Sequence, residues 1–125
     1  MMHGLGKALL AAMTSWHRGK LFIEHLVTLS HDSIHIIAGL LLWIIAGALL
    51  RRPLTSWAPW LCALAAIMWN ESVDLVVERW PERSWQYGEG AKDVLLTMFV
   101  PTVIMLAARL RPELFNGGGR RSRRR

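Results

Sequence analysis

Imidazole and carboxylate side chains stand where long apolar stretches of this chain begin and end. His31, Asp32 and His35 open a stretch that runs to Leu50; Asn70, Glu71, Asp74 and Glu78 close one that begins at Trp57; Asp93 opens one that ends near Leu110. Ionisable groups in such places are costly in hydrocarbon, so each marks a functional site by default. His31 and His35, four residues apart, share one helix face, and Glu71 and Asp74, three apart, share another. These are the ligand types of a metal centre in a helical bundle, which makes His31, His35, Glu71 and Asp74 the candidate ligands of a divalent metal. The same groups suit acid–base chemistry. His35 would be the general base, oriented by Glu71 or Asp74, and would act on a lipid-linked or headgroup phosphate, with Arg83, Lys92 and Asp93 as phosphate-holding or counter-ion residues. A third reading needs no ligand: the imidazoles and carboxylates satisfy one another and fix helix register. Ser30, Ser33 and Ser72 lie in no nucleophile motif, so covalent catalysis has no support.

The elements that must position these groups are membrane-spanning helices. The chain is 53% hydrophobic with a mean hydropathy of +0.28, and its apolar residues gather in three blocks instead of alternating with polar ones. Ile34–Leu50 is close to the minimum of roughly 17 residues for a span, and Trp57–Val77 is longer. Val94–Leu110 holds Pro101, which is tolerated where Thr97 or a neighbouring helix satisfies the freed carbonyl, and a kink is expected there. The run after Lys7 is too short for a signal peptide and lacks a cleavage site, so it is kept in the fold. Leu5, Leu9, Met13 and Trp16 recur at helical spacing, which predicts an amphipathic helix lying in the headgroup plane over residues 1–19. Gly19 would end it, and with no breaker beyond, one helix is expected from Leu21 to Leu50. The expected class is thus an all-α integral membrane bundle: an interfacial helix (1–19), a three-span domain (20–111) and a flexible polybasic tail (112–125). Cys62 is the only cysteine and has no intrachain partner.

Arginines set the orientation. Arg51 and Arg52 fill the first turn, and Arg109, Arg111 and the basic tail follow the third span, so both belong on the cytoplasmic side and the polar cluster on the outer one. Trp57 and Trp60 at one boundary and Trp80, Trp85 and Tyr87 at the other fit two aromatic belts. A hairpin folded about Pro53 and Leu54 puts His35 level with Glu71 and Asp74, and His31 level with Glu78. Glu24, Thr28, His31 and His35 line one stripe, continued by Gly39 and Ala46, which predicts a tight pair between the first two spans. The segment from Trp80 to Asp93 reads as an interfacial loop.

The run from Asp32 through His35 and its apolar helix to Arg51 and Arg52 resembles the opening span of VanZ-like membrane proteins. Glu71, Asp74, Arg83, Asp93 and Thr97 fall where that family carries its second set of polar residues, although Ser33, Asp74 and Thr97 replace its usual Lys, Gln and Asn. The resemblance covers Asp32 to Leu106. It implies a small polytopic envelope protein, linked in its best-known members to tolerance of glycopeptide antibiotics. The expected function is therefore a bacterial inner-membrane protein with a polar site at the outer interface, acting on or binding lipid-linked or headgroup phosphate. A holin-like oligomeric pore and an accessory subunit of a larger complex are the alternatives. The tail's partner is expected to be anionic lipid; nucleic acid lacks any aromatic interleaving or groove-reading helix.

Overall fold

The computed structural model describes residues 2–27 and 29–115; Thr28 and the tail arginines Arg120, Arg121 and Arg123–Arg125 lie outside them. Four helices follow in order: α1 (Met2–Leu26), α2 (His31–Leu50), α3 (Trp57–Val77) and α4 (Arg83–Leu110), with a short 3-10 turn at Pro112–Leu114. No strand occurs among the described residues. Helices α2, α3 and α4 are each long and apolar enough to cross a membrane. Their most apolar windows are only 28%, 22% and 28% buried, and Leu41, Ile45, Leu61, Leu95, Phe99 and Leu106 stand exposed on the outside. A bundle dressed in leucine and phenylalanine suits lipid; in water it would aggregate.

The break near the N-terminus is not where the sequence led us to place it. Helix α1 passes through Gly19, around which a Cβ would meet nothing within 4 Å, so that glycine costs only about 1 kcal/mol of helix propensity. The chain stops being helical after Leu26 instead, and the continuous Leu21–Leu50 helix does not form. The cause is Ser30. Its backbone is extended (φ −65°, ψ 151°) and its hydroxyl accepts the Ser33 N–H at 3.2 Å, an N-cap that starts α2 afresh and contributes about 1 kcal/mol.

The expected Trp80–Asp93 loop is also mostly helix. Arg83 begins α4, and a Lys92–Glu89 pair at 2.7 Å supports the extension. This first part of α4 closes the C-terminal end of α3. The Gln86 amide donates to the Glu78 carbonyl at 2.7 Å, and the Arg83 guanidinium donates to the Leu75 carbonyl at 3.0 Å. Carbonyls that a helix end leaves without donors are thereby satisfied from the next helix.

At the other end, Arg51 takes the left-handed conformation (φ 50°) and closes α2. Arg52 N–H bonds Gly47 O at 3.0 Å and Arg51 N–H bonds Ala48 O at 3.2 Å, the paired pattern of a Schellman cap. Trp43, Ala63, Ile67, Met98 and Met105 form the core among α2, α3 and α4. The tight pair made by Gly39 is with α4, not with α3 as expected: an ideal Cβ on Gly39 would lie 1.8 Å from the Thr97 carbonyl oxygen. That carbonyl is the one Pro101, four residues on, leaves without its helical N–H. Gly39 thus lets α2 approach the bare carbonyl to at most about 3.3 Å from its Cα, within reach of a Cα–H···O contact.

Candidate functional site

All four helices bring polar groups to one end of the bundle, around a cavity of about 300 Å³. Six carboxylates line it, from Glu24, Glu71, Asp74, Glu78, Glu89 and Asp93, against Lys20 and His31. The cavity is therefore acidic, and its wall holds two separate clusters.

The first joins α2 to α4. His31 Nε2 lies 3.2 Å and His35 Nε2 3.6 Å from the same oxygen, Asp93 Oδ2. One ligand atom from each of the three residues falls within 4.8 Å of the other two. His35 and Asp93 are buried, and Asp93 Oδ1 has no hydrogen-bond partner among the described residues. Thr97 orients His35. Its hydroxyl donates its single proton to the Asp93 carbonyl at 2.7 Å, so its oxygen can only accept, at 3.1 Å, from His35 Nδ1–H. A neutral His35 then presents a lone pair at Nε2, aimed at a carboxylate oxygen. Two lone pairs facing at 3.6 Å call for a positive centre between them, a proton or a metal ion. His31 is held less firmly: its Nε2 bonds Asp93, while its Nδ1 stands 3.5 Å from Glu24 Oε1, an ion-pair distance without a hydrogen bond. A hydroxyl behind His35, as Thr97 supplies, belongs to the usual second layer of a histidine metal site.

The second cluster ties α1 to α3. His17 Nδ1 lies 3.0 Å from Asp74 Oδ1 and its Nε2 3.3 Å from Glu78 Oε1, while Lys20 bonds the other Asp74 oxygen. Trp16 donates its indole N–H to Asn70 at 3.2 Å. Because Lys20 already neutralises Asp74, this cluster reads as an ionic clasp.

The expected site is thus divided. His31 and His35 do meet a carboxylate, but it is Asp93. Among the described residues neither makes an ion pair or hydrogen bond with Glu71 or Asp74. The turn of α2 about its own axis was not legible from sequence, and that turn faces the histidines toward Asp93 and Thr97 of α4. Glu71 is buried beside them: Asn70 donates to its Oε1 at 3.2 Å, and its Oε2 lies 3.2 Å from where a Gly90 Cβ would stand. Arg83 caps α3, and Lys92 pairs with Asp32 at 3.4 Å and with Glu89 at the rim, so neither projects a free cation for phosphate. Sequence reasoning missed His17 and Lys20, whose signal was the run His17, Lys20, Glu24 on one helix face. No protein-family profile, curated protein or solved structure matches this chain.

Proposed function

We propose that this chain is a multi-pass protein of the bacterial inner membrane that holds a divalent metal ion on His31, His35 and Asp93 at the outer face of its bundle. The observation that carries this reading is the convergence of two imidazole Nε2 atoms on one carboxylate oxygen, with Thr97 holding His35 in the tautomer a metal requires. Ligands at 2.0–2.1 Å from a tetrahedral zinc stand about 3.3 Å apart, against 3.2 and 3.6 Å here. Two imidazoles and a carboxylate suit zinc or iron(II), and leave a coordination position for a substrate. The basic turn at Arg51 and Arg52 supports a cytoplasmic side for that end and an outer location for the metal.

A bound cation would give the acidic cavity one local positive centre at which a phosphate oxygen could bind. The headgroup or lipid-linked phosphate expected from sequence would bind through the metal, not through Arg83 or Lys92. The test is zinc stoichiometry and affinity of the detergent-purified protein by competition with a chromogenic chelator. Wild type should bind one equivalent; Thr97→Val should lose about 10-fold in affinity, as is typical of a residue behind the ligands, and Asp93→Asn, which removes a ligand, should lose about 100-fold or more. Glu71→Gln should bind as wild type does. No stoichiometric metal, or equal affinity in wild type and Asp93→Asn, would leave the triad as a hydrogen-bonded network and end the proposal.

A further inference from the structure

Beside the acidic cavity, between α1 and the α2–α3 pair, lies a second space of about 490 Å³. Its walls are mostly apolar, with Leu41, Ile45 and the indoles of Trp16 and Trp69 among them, and His35 and Asn70 also line it. Small residues open it: Ala38 on α2 and Ala66 on α3 stand where larger side chains would close it. Its polar end is Lys20 and Glu24, and both residues also line the cavity, so slot and cavity adjoin. Lys20 is neutralised by Asp74. Glu24 has only the His31 ring, at 3.5 Å, as an ionic partner among the described residues. The other carboxylates line the adjoining cavity, and among them Asp93 Oδ1 is buried without a hydrogen-bond partner among the described residues.

We infer that this slot binds an amphipathic organic cation, its apolar body between α1, α2 and α3 and its amine or onium centre at Glu24. Charge selects the occupant. An anionic head that passed Glu24 into the adjoining cavity would meet its carboxylates, whereas a cation gains ion pairing there. Slot and cavity together lie within the 300–1,000 Å³ range of small-molecule sites. The inference does not need a metal on the triad.

The test uses the full chain in phosphatidylcholine nanodiscs, with empty nanodiscs subtracted, and two probes of one shape and opposite charge, tetraphenylphosphonium and tetraphenylborate. Equilibrium dialysis should find one saturable site for tetraphenylphosphonium and none for tetraphenylborate. Glu24→Gln should weaken the cation about 10-fold, and Ala38→Phe or Ala66→Phe, on different helices, should weaken it at least as much by filling the slot. Equal binding of both ions would make the slot a lipid-filled apolar groove. Binding no greater than to empty nanodiscs, or binding indifferent to all three substitutions, would equally overturn the inference.

Discussion

Replacing Gly39 with alanine tests the contact that sets α2 against α4. The new methyl would sit 1.8 Å from the Thr97 carbonyl oxygen and 2.6 Å from its carbon, both backbone atoms that cannot rotate away. Real Cβ atoms essentially never come closer than 3.0 Å, so the helices must part by about 1.2 Å at this level. The same movement would stretch the 3.1 Å His35–Thr97 bond to about 4.3 Å, beyond hydrogen bonding. Overpacking of this kind costs about 1–3 kcal/mol and a lost buried hydrogen bond about 1 more, for a total of roughly 2–4 kcal/mol. Thermal unfolding in detergent should therefore show Gly39→Ala melting on the order of 10 °C below wild type. Gly19→Ala is the control: nothing lies within 4 Å of its new methyl, and alanine is the better helix former, so its Tm should stay or rise. A Gly39→Ala protein that melts with wild type would refute the close approach of α2 to the Thr97 carbonyl.

Two further outcomes follow from the ends of the helices. Arg51 holds a left-handed conformation that glycine adopts freely, so Arg51→Gly should stabilise the protein by about 1 kcal/mol in the same thermal assay; a loss of stability would show that the arginine side chain matters more than the cap. Asp74→Asn weakens the bonds of both His17 and Lys20 to α3. Hydrogen exchange should then show α1 amides opening with a free energy about 1–3 kcal/mol lower while α2, α3 and α4 keep their protection, and unchanged α1 protection would remove the clasp from this account.

The three apolar blocks became the three helices apolar enough to span a membrane, and α3 matched its expected bounds, with Ser56 and Pro59 at one end and Pro81 beyond the other. Which residue types gather at the polar end was equally readable. The sequence pattern misled where it depends on solvent. In water an amphipathic helix turns its apolar stripe inward, yet α1 turns Met13, His17, Lys20 and Glu24 toward the bundle and leaves Leu5, Leu9 and Trp16 exposed. Beside lipid that preference inverts, since the costly groups are the polar ones. The partner of His31 and His35 was hidden for another reason. A 3.6-residue period defines a stripe on α2 but not which of two neighbouring helices receives it, and the deciding contact is between Gly39 and a carbonyl bared by Pro101. The extension of α4 was masked by Gly88, Gly90 and a run of charges that read as a loop, although Glu89 and Lys92 stand at helical pair spacing.

The clasp between α1 and α3 also imposes an order in time. Trp16, His17 and Lys20 find their partners 54 to 57 positions further along the chain. During synthesis α1 therefore leaves the ribosome before Asn70 and Asp74 exist, with its lysine and histidine unanswered. Until α3 is made, those groups have none of the α3 partners they have in the folded chain. The first helix to be made therefore cannot close its clasp until α3 has been made, and its contacts with α3 are among the long-range ones of the fold.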